Sequence, residues 1–234
     1  MGYKYLLFDS DRTLLDFDKS MRSAVRTVLT KYGFDVTDEV IDFYDAWNNS
    51  LWQQFERGEI TKADLVYTRF LVMCTRYGVP YPGKGKIETD YIVELGKGHD
   101  LLPDALDVVK TVSENHKCYI ITNGFIDVQT PRFEKCGLKP YIEDIFISEQ
   151  IGAEKPSVQY FEEVLKRIGN PDKKEILIIG DSMTADIQGG YLSGIDTVLI
   201  SNKEPEGYEY SPTYVVSDLK ELLGILKGGN TDEQ

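Results

Sequence analysis

The sequence predicts an α/β fold: a doubly wound parallel sheet with a Rossmann-like core, and a helical bundle inserted after the first strand. Two observations support this fold. Short apolar segments alternate with amphipathic helical segments in the second half of the chain, as in parallel sheets. Between the first apolar segment and that region, only helical periodicity is found. We therefore expect a core of residues 1–16 and 99–234 and a helical cap domain of residues 17–98.

The first strand is predicted at Tyr3–Phe8, an apolar run that leads directly into an acidic residue. Four cap helices are expected next, most of them ended by glycine. They are Ser20–Tyr32, Asp38–Arg57, Thr61–Tyr77 and Lys86–Leu95. Thr61 and Asp64 have the spacing of a capping box, which marks the start of the third helix.

The alternating region supplies the rest of the sheet. Its predicted strands are Lys117–Ile121, Ile145–Ile147, Ile176–Ile179, Thr197–Ile200 and Tyr214–Val216. Its predicted helices are Pro103–Asn115, Asp127–Cys136, Val158–Ile168, Thr184–Ser193 and Asp218–Lys227. Residues 228–234 are expected to fray.

The charge balance restricts the class of partner. With 26 basic and 39 acidic residues the net charge is −13, which argues against nucleic-acid polymers and anionic membranes. A small phosphorylated metabolite is compatible with this charge, because a bound cation can invert the local field. Apolar runs are too short to span a bilayer. The three cysteines lack metal-site spacing, so we expect reduced thiols and a cytoplasmic location.

Polar residues follow each central strand at the edge where parallel sheets bind ligands. Asp9 and Asp11 follow the first strand, and Asp181 follows the strand at Ile176–Ile179. Two like charges 4 Å apart repel by about 4 kcal/mol at an effective dielectric constant near 20. Three carboxylates in one crevice therefore require a counter-charge, and Mg²⁺ is the natural hard cation for oxygen ligands.

The same edge carries groups suited to phosphoryl transfer. A carboxylate such as Asp9 can attack phosphorus. A second acid two residues along a strand, Asp11, projects to the same side and can protonate the leaving alcohol. The Thr122 hydroxyl and the N–H groups of Asn123 and Gly124 can hold phosphoryl oxygens, and a lysine can neutralise them.

Four motifs in this order resemble those of the haloacid dehalogenase-like hydrolase superfamily, over nearly the whole chain. They are Asp9-x-Asp11-x-Thr13, Thr122-Asn123, Lys155-Pro156 and Gly180-Asp181-x4-Asp186. The resemblance implies that Asp9 is the nucleophile and Asp11 the general acid/base. It implies Mg²⁺ ligation by Asp9, Asp181 and the backbone carbonyl of Asp11, and phosphate binding by Thr122, Asn123 and Lys155. Asp186 would hold a metal-bound water or orient Lys155.

Three segments are similar to the house-cleaning pyrimidine 5′-nucleotidase subgroup: Leu51–Thr61, Tyr67–Phe70 and Gly180–Gly190. This similarity implies a pyrimidine nucleoside monophosphate as the substrate. Arg12 departs from the superfamily, which often has Asp or Gly at that position; the change can alter the loop geometry or the contacts with the cap.

Alternatives remain open at this point. A sugar-phosphate phosphatase or a phosphomutase would use the same fold and core residues. A dehalogenase needs no acid for its leaving group, so Asp11 argues against it. A non-catalytic module that binds phosphorylated ligands is the alternative from another class. Trp47, Trp52 and Phe55 lie on one cap helix, where their spacing favours core packing over stacking against a base. Arg57 and Arg69 are expected at the cap surface.

Overall fold

The computed structural model describes residues 2–228, in which six strands form one parallel sheet. The strands are β1 (Tyr5–Asp9), β2 (Lys117–Thr122), β3 (Asp144–Ile147), β4 (Ile176–Gly180), β5 (Asp196–Ile200) and β6 (Tyr214–Val216). Their order in the sheet is β3-β2-β1-β4-β5-β6. The predicted doubly wound α/β fold is therefore confirmed. The order reverses direction between β1 and β4, the position at which such sheets bind ligands.

Helices that lie outside the long insertion flank this sheet. They are α5 (Ala105–Ser113), α6 (Ile126–Lys135), α7 (Ser148–Ile151), α8 (Val158–Arg167), α9 (Gln188–Ser193) and α10 (Leu222–Gly228), numbered after the four helices of the insertion. Leu6 and Phe8 of β1 face one apolar cluster with α5, whereas Leu7 faces another with α8. Because both faces are covered, the central strands are nearly continuous runs of buried apolar residues.

Four helices between β1 and α5 form what we call the helical insert. They are α1 (Phe17–Lys31), α2 (Asp38–Glu56), α3 (Lys62–Tyr77) and α4 (Lys86–Leu95). Their apolar faces share a cluster that includes Met21, Tyr44, Phe70 and Tyr91. The predicted capping box at α3 is confirmed, because the Thr61 and Asp64 side chains each accept a hydrogen bond from the other's backbone N–H.

Two connections join the helical insert to the sheet, and they pair side by side through an antiparallel bridge between Leu15 and Leu101. The outgoing connection is residues 10–16, and the returning connection is residues 96–104. The backbone N–H of Asp16 donates to the carbonyl of Asp100, and that of Leu102 donates to the carbonyl of Leu14, each at 2.9 Å. The predicted division of the chain at 16/17 and 98/99 lies next to this pairing and stays a prediction.

The structure corrects some element predictions. The predicted helix Thr184–Ser193 begins instead with a π-helical turn at Met183–Ile187 and continues as α9. In this turn the carbonyl of Ser182 accepts from the N–H of Ile187, five residues later. The short helix α7 is not in the sequence prediction. Residues 229–234 of the predicted frayed tail lie outside the described residues. Among residues 2–228, no helix has both the length and the apolar character needed to cross a bilayer.

Candidate active site

A cavity of about 430 Å³ lies between the carboxyl edge of the sheet and helix α2. The strand register explains why distant residues meet there. Asp9 pairs with Ile121 on β2, and Phe8 pairs with Ile179 on β4, so all three strands end at nearly the same level. The residues that line the cavity include Asp9, Asp11, Thr122, Asn123, Lys155, Asp181 and Asp186. All seven predicted site residues therefore border one cavity.

Lys155 lies at the base of this cavity and is only 2% exposed. Its Nζ donates to Oδ1 of Asp9 at 2.6 Å, to Oδ1 of Asp186 at 2.7 Å and to the carbonyl of Ile121 at 3.2 Å. Burial opposes the positive charge, but Asp186 and Asp9 outweigh it and hold the pKa of Lys155 above its usual value. The lysine is therefore a fixed cation beside Asp9.

Three carboxylates cluster beside this one lysine, and two of them, Asp9 and Asp186, bind it directly. Oxygen atoms of Asp9, Asp181 and Asp186 lie within 4.8 Å of one another. Burial raises the pKa of Asp9 well above its ordinary value despite Lys155, with further repulsion from Asp186 and Asp181. Burial and the Asp186 charge raise the pKa of Asp181 to about 7. Excess negative charge on buried hard oxygen donors fits a divalent cation such as Mg²⁺.

Asp11 lies apart from that carboxylate cluster. Strand β1 ends at Asp9, so the alternation of side chains in a strand does not fix the direction of Asp11. Its carboxylate accepts from Nη1 of Arg132 at 2.5 Å and from Nε2 of Gln129 at 2.7 Å. The expectation that Asp11 crowds against Asp9 and Asp181 is replaced by an ion pair with helix α6. Sequence reasoning missed Gln129 and Arg132.

Thr122 and Asn123 have different surroundings. Oγ1 of Thr122 lines the cavity and accepts from the N–H of Gly124 at 3.0 Å. The Asn123 side chain instead pairs with the backbone of Lys155, donating to its carbonyl at 2.8 Å and accepting from its N–H at 2.9 Å. Asn123 thus fixes the loop that carries the lysine, and its amide side chain is occupied by that contact.

Helix α2 forms the opposite wall with Asn49, Trp52, Gln53 and Glu56. The carboxylate of Glu56 accepts hydrogen bonds from the hydroxyls of Ser182, at 3.2 Å, and Thr184. Burial raises the pKa of Glu56. These contacts join the helical insert to the loop that follows β4.

The aromatic residues of α2 have different surroundings: Trp52 lies at the wall of the cavity, and Phe55 lies in an apolar cluster. Trp52 borders the cavity and packs edge-on against Phe55 and Phe125, with ring centroids 5.7 and 6.2 Å away. Phe55 is buried beneath it in an apolar cluster. The prediction that this aromatic set packs as core therefore holds for Phe55, whereas Trp52 also presents a surface to the cavity.

The structure shows the contacts of two arginines, Arg12 and Arg69, that the sequence did not determine. Arg12 has a φ of 62°, in the left-handed region, and its guanidinium binds Asp18, Asn49 and Asp45 at 2.8–3.3 Å. It therefore connects the first motif to α2. Arg69 was expected at the surface, but it is 2% exposed and lies 4.6 Å from the centre of the Tyr91 ring. That surface prediction is wrong.

Comparison with known proteins gives the family. A family model described as haloacid dehalogenase-like hydrolase matches residues 3–194. The HAD-hydrolase YfnB of Bacillus subtilis is 38% identical over 98% of this chain and 97% of its own. The crystal structure of YfnB bound to magnesium matches with a TM-score of 0.90, covering 97% of this chain and 99% of that chain.

Two further relatives carry names that state a substrate class. The pyrimidine 5′-nucleotidase PynA of Streptococcus pneumoniae is 36% identical over 97% of this chain and 96% of its own. The pyrimidine 5′-nucleotidase YjjG of Escherichia coli is 33% identical over 97% and 99%. The similarity extends over essentially the full length of each relative, through all four motifs and the helical insert. The chain therefore belongs to the haloacid dehalogenase-like hydrolases.

Proposed function

We propose that this hydrolase is a Mg²⁺-dependent phosphomonoesterase that cleaves nucleoside 5′-monophosphates, with pyrimidine nucleotides preferred. The observation that carries the proposal is the ion pair between Lys155 and Asp9 at the wall of a cavity that Asp11 also borders. Similarity to PynA and YjjG supports the choice of nucleotide. The cytoplasmic location expected from the sequence stays a prediction.

In the first step Asp9 attacks phosphorus. Lys155 holds Oδ1 of Asp9, which leaves Oδ2 to form the new bond. As the Asp9–phosphorus bond forms, the bond from phosphorus to the leaving oxygen breaks. Asp11 transfers a proton to that oxygen, so the nucleoside leaves as a neutral alcohol. The product of this step is an aspartyl-phosphate on Asp9.

In the second step water attacks the phosphorus of the aspartyl-phosphate. Asp11, now deprotonated, accepts a proton from that water as the new P–O bond forms. The bond between phosphorus and Asp9 breaks, which releases inorganic phosphate and restores the carboxylate. Lys155 and Thr122 both line the cavity, and in this mechanism they stabilise charge on the phosphoryl oxygens through both steps.

The carboxylate cluster fits the proposed metal. Asp9, Asp181 and the backbone carbonyl of Asp11 would hold Mg²⁺, and the charge of the ion would neutralise phosphoryl oxygens. Asp186 accepts a hydrogen bond from Lys155, which supports the second of the two roles expected for it. The magnesium-bound structure of YfnB supports this assignment.

The wall formed by α2 supports a nucleoside substrate. Trp52 offers an aromatic face, and stacking of a base on such a face contributes about 1–3 kcal/mol. The exposed amide of Gln53 borders the same space and is available to the polar edge of a base. We propose that the helical insert acts as the cap that selects the substrate.

The test is phosphate release from a panel of esters in the presence of Mg²⁺, with Asp9→Asn as the blank. The panel contains uridine, cytidine and adenosine 5′-monophosphates, ribose 5-phosphate and p-nitrophenyl phosphate. The proposal predicts the highest kcat/KM for the pyrimidine nucleotides. An equal or higher kcat/KM for ribose 5-phosphate would be consistent with a phosphatase but would overturn the assignment as a nucleotidase. Release that persists in Asp9→Asn would overturn the mechanism.

A further inference from the structure

We propose that Gln129 and Arg132 are positioning residues that fix the Asp11 carboxylate against the leaving group. The inference rests on the proposed function, in which Asp11 is the general acid. Neither residue belongs to the four motifs. Both lie on α6, three positions apart and so on one face of that helix, which points at the outgoing connection.

The two side chains hold different oxygens of the same carboxylate. Nη1 of Arg132 donates to Oδ1 of Asp11 at 2.5 Å, and Nε2 of Gln129 donates to Oδ2 at 2.7 Å. With both oxygens anchored, the carboxylate cannot rotate freely, although its side chain is 27% exposed and borders the cavity. A proton donor is effective only when it is held within hydrogen-bonding reach of the acceptor.

Both residues are themselves completely buried. Gln129 accepts from the hydroxyl of Ser10 at 3.2 Å and donates to Oγ1 of Thr122 at 3.2 Å. It thus connects Asp11 and the preceding residue, Ser10, to the phosphate-binding threonine. Burial of a polar amide and a guanidinium is costly, and a buried ion pair is by itself a weak source of stability. The burial of these two side chains is therefore better explained by the position in which they hold the Asp11 carboxylate than by a gain in stability.

The space for Gln129 depends on Gly124, the residue that follows the second motif. A Cβ atom at Gly124 would lie 2.3 Å from Nε2 of Gln129 and 2.8 Å from its Cγ. Any larger residue at this position would displace the amide that holds Asp11. The φ of Gly124 is not in the left-handed region. The glycine is therefore required by this close approach, rather than by the turn.

Arg132 also binds the returning connection. Its Nε donates to the carbonyl of Gly98 at 2.7 Å, while its Nη1 holds Asp11 on the outgoing connection. One buried guanidinium thus joins the two segments that lead to and from the helical insert. Asp11 is held relative to both segments, close to the bridge between Leu15 and Leu101 that pairs them.

The test compares esters that differ in their need for an acid. A nucleoside leaves as a poor alkoxide unless it is protonated, whereas p-nitrophenolate leaves readily without a proton. The readout is kcat/KM, which reports the steps up to departure of the leaving group. For Arg132→Gln and Gln129→Leu we expect kcat/KM for uridine 5′-monophosphate to fall at least about tenfold, part of the factor of 10²–10⁴ typical of acid catalysis. The value for p-nitrophenyl phosphate should change less than about threefold, and Arg132→Lys should recover part of the loss.

Two controls make the outcome decisive. Arg69→Gln removes another buried arginine that does not line the cavity, so it should leave the ratio of the two kcat/KM values unchanged. Asp11→Asn must itself lose more kcat/KM for uridine 5′-monophosphate than for p-nitrophenyl phosphate. If it does not, the acid role in the proposed function fails. If Asp11→Asn shows the selective loss but folded Gln129→Leu and Arg132→Gln lower kcat/KM for both esters equally or for neither, the positioning role is overturned.

Discussion

Lys155 donates a hydrogen bond to Asp9 across 2.6 Å, although 146 positions separate the two residues in the sequence. The contact exists because β1 and β2 end at the same edge of the sheet and the loop beyond β3 returns to it. Asp186 accepts from the same ammonium at 2.7 Å, so one cation serves two buried carboxylates. We therefore expect a substitution in this cluster to change both the activity and the stability of the protein.

Lys155→Met should lower activity sharply and destabilise the protein. Loss of one preorganised cation costs about 10²–10³ in kcat. Removal of one partner from a buried ion pair typically costs about 3–5 kcal/mol, because the remaining charges are left uncompensated. Phosphate release and urea unfolding measure the two effects. Lys166→Met, at an exposed lysine paired with Glu163, should change neither. A Lys155→Met protein as stable as the wild type would contradict the proposed charge balance.

Asp181→Asn should stabilise the metal-free protein at alkaline pH. The pKa of Asp181 is about 7 in the folded protein and about 3.9 in an unfolded chain. Between about pH 4 and 7 the folded state binds the extra proton, so the free energy of unfolding of the wild type falls as pH rises and stays low above pH 7. At pH 8 in EDTA we expect the melting temperature of the variant to be higher by roughly 2–8 °C.

That difference should shrink toward pH 4, where the wild-type carboxyl is protonated in the folded state and about half protonated in the unfolded chain. Asp35→Asn removes one charge from an exposed loop residue and serves as the matched control. An Asp181→Asn variant that melts below the wild type at pH 8 would show that the carboxylate is not under electrostatic strain.

Removal of divalent metal should stop turnover. We expect no phosphate release in EDTA and full recovery when Mg²⁺ is restored in excess. Ligand binding to the native state also stabilises it, by about 2.7 kcal/mol at one hundred times Kd. Mg²⁺ should therefore raise the melting temperature of the wild type but not of Asp181→Asn. Undiminished release in EDTA would be incompatible with the metal assignment.

Trp52→Ala should weaken recognition of the base. Loss of about 1–3 kcal/mol of stacking corresponds to a fall of about 5- to 150-fold in kcat/KM for uridine 5′-monophosphate. The value for ribose 5-phosphate, which has no base, should remain nearly constant. Trp47→Ala provides the control on the same helix, because Trp47 does not border the cavity. Parallel losses on both substrates would place Trp52 in the packing of the insert rather than in recognition.

The sequence was sufficient where local pattern and topology act together. The apolar runs that end at Asp9, Thr122 and Asp181 locate three strands, and parallel strands bring their carboxyl ends to one edge. The seven predicted site residues accordingly border one cavity. The roles expected for these residues came from the resemblance of the four ordered motifs to the haloacid dehalogenase-like hydrolases.

Contacts set by tertiary packing could not be predicted. Gln129 and Arg132 are polar residues that a sequence pattern assigns to the solvent-facing side of a helix, whereas both are fully buried beside the connections to the helical insert. The predicted direction of the Asp11 side chain, on the same side as Asp9, was wrong. Strand β1 ends at Asp9, two residues earlier, and Arg12 then takes a left-handed conformation. Arg69 was placed at the surface because sequence periodicity does not reveal stacking of a guanidinium on a buried tyrosine.

The central claim is that Asp9 becomes phosphorylated, and its most direct test is to trap that species. Asp11→Asn, mixed with p-nitrophenyl phosphate and Mg²⁺, retains a good leaving group but lacks the base for the second step. We predict a burst of one equivalent of p-nitrophenol, followed by slow turnover. After an acid quench, mass spectrometry should locate one phosphoryl group on the peptide that contains Asp9. A burst with no modified peptide, or a phosphoryl group on any other residue, would contradict the account.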